Sequence, residues 1–231
     1  MWLEVVALLV GYLFGSIPFV YLIGRLRGID LRRHGSGNVG AGNLWQTVGP
    51  VEGAIGGLLD ASKGALPAAV SLRLGFELPA VALAGLGGVS GQCWPAFWGV
   101  KGGRGVAAML GLLLVIAPQA LVVGLIPIAV GAAMRALPLL FNSEVSPWRE
   151  RFRLRGRPSR SLPLSVAIGL AIAPVAAWLS HEPTTIVVTA LLIFLIMAVR
   201  RVTAELKDDL ATAGDRKAIM ANRFLYDRPH P

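Results

Sequence analysis

The chain has 231 residues, 55% of them hydrophobic and only 15% charged, with a mean hydropathy of +0.64. Soluble domains carry about 25% charged residues, so a soluble globular protein is excluded, as is disorder by the apolar content. Cys93 is the single cysteine, which excludes a disulfide scaffold.

The 22 Lys and Arg residues outnumber 13 Asp and Glu, for a net charge of +9 and a pI near 10.8. In a soluble protein that excess would suggest nucleic acid; in a membrane protein it collects in cytoplasmic loops. The order of the charges decides.

A membrane-crossing helix needs roughly 20 mostly apolar residues. Residues 5–24 carry no charge and are followed by Arg25, Arg27, Arg32 and Arg33. A cleaved signal peptide has the opposite polarity, so this reads as a retained first span ending inside. Residues 53–74 form an apolar second segment that contains Asp60 and Lys63. Residues 78–100 are a third. The uncharged run 105–134 is too long for one crossing, and Pro118 divides it into a short fourth and a fifth. Residues 161–180 and 183–199 complete the set, separated by His181 and Glu182.

The expectation is an all-α integral membrane protein of about seven transmembrane helices, N-terminus outside and C-terminus cytoplasmic. Residues 1–200 would form one polytopic membrane domain with its active-site loops on the cytoplasmic side, and residues 201–231 a cytoplasmic tail. Of the basic residues only Arg73 then falls at an outer end. The densest cluster (Arg149, Arg151, Arg153, Arg155, Arg157 and Arg160) precedes the sixth span. It reads equally as an anionic-lipid contact or as a topology determinant, and nucleic acid is not needed.

Three inner-side segments differ from ordinary loops. In Gly35-Ser36-Gly37-Asn38-Val39-Gly40-Ala41-Gly42-Asn43 the pattern G-x-G-N occurs twice. Glycines let successive N–H groups converge into an anion-binding nest, and Ser36, Asn38 and Asn43 add neutral donors. A flexible turn is the competing reading; a Walker loop is excluded by spacing. In Leu59-Asp60-Ala61-Ser62-Lys63-Gly64, Asp60 and Lys63 fall on one helix face at i and i+3. They are either functional intramembrane charges or snorkelling side chains. In Lys101-Gly102-Gly103-Arg104-Gly105, two cations in a glycine-rich turn lead into a helix N-terminus, which is a phosphate site in physical terms. An ordinary positive-inside loop is the alternative.

Residues for other chemistries are scarce. His34, His181 and His230 are scattered, no metal-ligand spacing occurs, and no G-x-S-x-G elbow is present. Anion donors without an obvious base suit chemistry in which phosphate leaves.

The ordered stretches Gly15-Ser16-Ile17-Pro18-Phe19, Ser36-Gly37-Asn38-Val39-Gly40-Ala41, Leu59-Asp60 with Lys63-Gly64, and Lys101-Gly102-Gly103-Arg104-Gly105-Val106-Ala107 together resemble the acyl-phosphate:glycerol-3-phosphate acyltransferases, the PlsY family. Ser161 resembles a further family serine. The resemblance implies a multi-pass enzyme of the bacterial inner membrane that transfers an acyl group from acyl phosphate to glycerol 3-phosphate, giving lysophosphatidic acid for phospholipid synthesis. Its partners would be those two substrates and membrane lipids, with acyl phosphate as co-substrate and no cofactor or metal.

On this reading Ser36, Asn38 and Lys101 are catalytic. Gly37, Gly40, Asn43, Gly102, Gly103, Arg104, Gly105 and Ser161 bind substrate phosphate, and Asp60 and Lys63 support the pocket. The chain departs from the family pattern at Gly42 for threonine, Gln46 for arginine, Gln92 for histidine and Arg104 for lysine. Arg200-Arg201-Val202-Thr203 stands where the family has H-R-x-N. A diverged paralogue that binds a lipid phosphate or a protein without transfer is the alternative; a small transporter has less support.

Overall fold

A computed structural model describes residues 2–97, 102–141, 160–204, 206 and 216–227. Among the described residues there are ten helices and no strand: α1 (Trp2–Gly15), α2 (Phe19–Leu26), α3 (Ala41–Thr47), α4 (Pro50–Arg73), α5 (Leu78–Cys93), α6 (Val106–Ile116), α7 (Pro118–Phe141), α8 (Ser161–Leu179), α9 (Thr184–Thr203) and α10 (Arg216–Tyr226). The all-helical class is as expected. The arginines from Arg149 to Arg157 lie outside the described residues.

The individual spans differ from expectation. Among the described residues, four segments are long and apolar enough to cross a membrane: the α1–α2 segment, α7, α8 and α9. The first is broken between Gly15 and Phe19. Pro18 has no N–H to donate and biases Ile17 away from helical geometry. Ser16 sits in the break, fully buried; its hydroxyl donates to Tyr12 O at 2.8 Å and accepts from Ala96 N–H at 3.0 Å. The expected third span runs to residue 100, but α5 stops at Cys93, before Pro95. α6 has only 11 residues, about 16 Å at 1.5 Å per residue, against a hydrocarbon core of about 30 Å. Its junction with α7 falls at Ala117, where Pro118 suggested a break. α4 has 24 residues but carries the buried Asp60 and Lys63.

Apolar side chains face outward along the long helices: Val122, Ile126 and Val130 on α7, Trp178 on α8, and Leu191, Leu195 and Val199 on α9 are all exposed. That is the surface of a protein solvated by lipid. The main core lies between α5, α6, α8 and α9, around Val89, Met109, Leu112, Leu113, Leu170, Ile193 and Met197.

Small residues set how closely the helices approach. A Cβ on Gly11 of α1 would overlap the carbonyl of Ala84 on α5, and one on Gly15 the carbonyl of Gly88. A Cβ on Gly88 would in turn overlap the carbonyl of Lys63 on α4. On the other side of α4, Gly64 meets the carbonyl of Ala108 on α6, and Gly111 that of Ala61. Without water to drive association, such backbone-to-backbone packing is a main source of helix adhesion in a bilayer. The chain thus stacks α1, α5, α4 and α6 with almost no side chain between them.

The end of the chain returns to this assembly. α10 packs on α8 and α9, with Ile219 buried and Phe224 edge-on to Phe194 at 6.4 Å between centroids. Arg201 Nη1 donates to Phe224 O at 3.1 Å.

Gly88→Val is expected to lower stability in detergent by about 1–3 kcal/mol or more, because two backbones must part. Gly57→Ala is the control: its Cβ would meet only Ala41 at an ordinary 3.5 Å, so its effect should stay between neutral and about 1 kcal/mol stabilising. Equal melting temperatures for Gly88→Val and the native chain would refute the packing account.

Candidate active site

The first glycine-rich segment forms a compact loop organised by Asn43. From its buried position, Asn43 Nδ2 donates to the carbonyls of Leu31, His34 and Asn38 at 3.1, 3.0 and 2.9 Å. Its Oδ1 accepts from Ser36 N–H at 3.1 Å. Gly35 and Gly37 adopt left-handed φ values of 61° and 71°, the region glycine enters freely. Gly40 precedes α3, and its carbonyl accepts the N–H groups of Asn43 and Leu44. Asn43, expected to donate to phosphate, thus spends its donors on the loop and shapes the segment that carries Ser36 and Asn38. Ser36 is exposed, and its hydroxyl lies 3.4 Å from Asn38 N–H. Asn38 Oδ1 is buried without a partner, an acceptor open to a ligand hydroxyl or amine.

The loop is braced from outside the membrane-spanning segments. Asp30 accepts from the Arg32 side chain at 2.8 and 3.0 Å, and the Arg32 guanidinium stacks 4.8 Å from the Tyr21 ring centroid. The Arg32 hydrogen bonds hold the Asp30 carboxyl well below the usual carboxylate range and raise Arg32 in return.

The second segment brings charge inside. Lys63 is 1% exposed, so it does not snorkel. Its Nζ lies 3.1 Å from Asp60 Oδ1, the pairing that the i, i+3 spacing predicts. Gln92 of α5 closes the group: its Nε2 donates to Asp60 Oδ2 at 2.9 Å, and its Oε1 accepts from Lys63 Nζ. Lys63 Nζ also stands 5.3 Å from the Phe19 ring centroid. One amide thus serves both members of a buried ion pair, leaving neither charge unmatched. Apart from Ser90, Gln92 is the one polar side chain in the glycine-rich apolar run 78–93, and that is the signal that marks it.

Lys101 lies outside the described residues. The remainder of the third segment docks on the end of α5. Gly103 N–H donates to Gln92 O at 3.0 Å, and a Cβ on Gly102 would overlap the carbonyl of Cys93. A Cβ on Gly103 would stand 3.0 Å from Val39 O, so the third segment also touches the first. Gly105 caps α6 at φ 76°. Arg200 of α9, given no role by the sequence reading, donates from Nε to Gly103 O at 2.9 Å and from Nη2 to Gly102 O at 2.8 Å. Arg104 turns toward the chain end, where its Nε lies 2.7 Å from Asp227 Oδ1.

A small cleft opens where these parts meet. Asp60, Lys63 and Gln92 line one side, Gly102, Gly103 and Val39 another, and Ser16, Pro18 and Val20 from the broken first span a third. The convergence of the three segments is therefore real. Ser36, Gly37, Asn38, Gly40, Asn43, Arg104, Gly105 and Ser161 are not among the lining residues, and the first segment reaches the cleft only at Val39. Ser161 donates to Gly131 O at 3.1 Å, between α8 and α7. Among the described residues no group of three His, Cys, Asp or Glu side chains is placed to hold a metal ion.

Lys63→Met would strand the Asp60 carboxylate in the interior, and a loss of about 3–5 kcal/mol is expected. Combining it with Asp60→Asn, which leaves an amide for Gln92, should recover much of that loss. A single variant that melts with the native chain would refute the buried pair; a double variant no better than the single would refute the coupling.

The profile of the family described as glycerol-3-phosphate acyltransferase matches residues 5–140. A glycerol-3-phosphate acyltransferase of Myxococcus xanthus is 48% identical over 134 residues, covering 57% of this chain and 70% of that protein. Glycerol-3-phosphate acyltransferase 4 of Dehalococcoides mccartyi is 35% identical over 225 residues, covering 94% and 86%. The crystal structure of PlsY, an integral membrane glycerol 3-phosphate acyltransferase, in its glycerol 3-phosphate form is 27% identical, with a TM-score of 0.69 over 90% of this chain and 92% of that one. Its lysophosphatidic acid form is 26% identical, with a TM-score of 0.66 over the same shares. Both the sequence motifs and the packed helices that carry them therefore place this chain in the glycerol-3-phosphate acyltransferase family.

Proposed function

We propose that the chain transfers an acyl group from acyl phosphate to the 1-hydroxyl of glycerol 3-phosphate at the cytoplasmic face of a bacterial inner membrane. The observation that carries this reading is the meeting of the three glycine- and charge-bearing segments at one cleft, on a helical body whose outer surface is apolar. A site at that face takes a soluble phosphorylated acceptor from the cytosol and an acyl chain from the bilayer.

An acyl phosphate is a mixed anhydride with a good leaving group, so the enzyme's work is positioning and charge stabilisation. The acceptor oxygen bonds to the acyl carbon while the bond from that carbon to the phosphate oxygen breaks. Inorganic phosphate departs with the bonding pair, and the hydroxyl proton passes to the acceptor's own phosphate. No cofactor or metal enters this scheme. Lys101 and Arg104 supply positive charge for the phosphates, and Gly37, Gly40, Gly102, Gly103 and Gly105 permit close backbone approach. Ser36 and Asn38 orient the reacting groups, Asn38 through its unpartnered oxygen. Asn43 holds their loop, Asp60 and Lys63 hold the floor, and Ser161 adds a hydroxyl beside α7.

A second reading, binding of a phosphorylated lipid without transfer, draws on two positions where histidine is replaced. Gln92 is absorbed in the buried ion pair and Arg200 in the loop backbone.

Purified protein given acyl phosphate and glycerol 3-phosphate should release lysophosphatidic acid and phosphate, while acyl-CoA and acyl carrier protein should not replace the donor. Lys101→Ala should reduce turnover by about 100-fold or more, the usual effect of deleting one charge-stabilising group. Phosphate-lipid binding with no product from any phosphorylated acceptor would favour the second reading.

A further inference from the structure

Arg104 and Asp227 are 123 residues apart in sequence, yet the carboxylate lies against one atom of the guanidinium: Arg104 Nε is 2.7 Å from Oδ1 and 2.9 Å from Oδ2. Among the described residues, neither terminal nitrogen of Arg104 makes a hydrogen bond. Both side chains are largely covered, at 15% and 21% exposure, so the pair is shielded from the screening that weakens surface ion pairs.

The carboxylate is placed by a docked structure. Asp227 follows α10, its N–H donates to Arg223 O at 2.9 Å, and its φ is 56°. That left-handed conformation is one that aspartate tolerates better than most residues. α10 is fixed by the burial of Ile219 and Arg223 and by the bond from Arg201 to Phe224.

We infer that Asp227 is a positioning residue for the proposed transfer: it holds Arg104, the residue next to the cleft-lining Gly103, at Nε and leaves the two terminal amino groups to receive a substrate phosphate at the rim of the cleft. Lysine suits this arrangement less well, because its single nitrogen would have to share its charge between the carboxylate and the phosphate. Arginine carries five N–H donors on three nitrogens and can be held by one while it binds with two. Arg104 in the third segment and Asp227 at the chain end are therefore one functional unit.

The inference rests on the function proposed above, and the test separates the two. Asp227→Asn, Arg104→Lys and the double variant are prepared as full chains, alongside the native protein. Asp227→Asn should raise KM for glycerol 3-phosphate about tenfold while kcat changes less than about threefold, the signature of lost binding. Arg104→Lys should fall further, and adding Asp227→Asn should restore part of its activity by freeing the ammonium. A merely structural Asp227 would not produce that rescue. An unchanged KM in Asp227→Asn, faster turnover (which would make the carboxylate a plug), or no rescue in the double variant overturns the inference. If the native chain shows no transfer, the proposed function fails, and calorimetric binding of inorganic phosphate decides Asp227 separately. Binding about tenfold weaker in Asp227→Asn supports it, and equal binding overturns it.

Discussion

The contact on which the site depends is the direct approach of α5 to the backbone of α4. Gly88 lies on the carbonyl of Lys63 with no room for a Cβ between them. One helical turn later on the same face, Gln92 meets the side chains of Lys63 and Asp60. If α5 stood a methyl group farther off, the amide could not bridge both charges. Gly15 on the opposite side of Gly88, and Gly64 against Ala108, extend the same closeness to α1 and α6. The helices that provide the floor of the cleft are thus a rigid stack, held at backbone distance by what their sequences lack.

That stack explains how a charged pair persists in a low-dielectric interior. An isolated lysine or aspartate would be too costly there, and two charges meet that cost only with good geometry and satisfied hydrogen bonds. Gln92 gives the carboxylate a donor and the ammonium an acceptor at once. The loops are then built outward from this floor. The third segment hangs on the Gln92 carbonyl through Gly103, Arg200 fastens its carbonyls, and the first segment folds round Asn43 and touches it at Val39. A flexible glycine run becomes a defined surface because side chains from distant elements consume its polar groups.

The departures from the family pattern acquire physical meaning in this arrangement. Gln92 is a bridge within the ion pair, and Arg200 is a fork on two successive carbonyls. Arg104 has a counter-ion, Asp227, that engages its guanidinium at Nε.

The membrane class, the break at Pro118 and the three special segments were all legible in the chain, because charge exclusion, proline chemistry and glycine spacing are local signals. So was the pairing of Asp60 with Lys63, which needs only helical periodicity. The break at Pro18 and the early end of α5 at Cys93 were readable in principle from Pro18 and Pro95, but uninterrupted apolar composition hid them. Only the tertiary structure decided that Asn43 is spent on its own loop, that Gln92 and Arg200 serve the site, and that Arg104 answers to Asp227. Each of those depends on which long-range partner reaches a polar group first, and that is set by helix packing rather than by the order of residues.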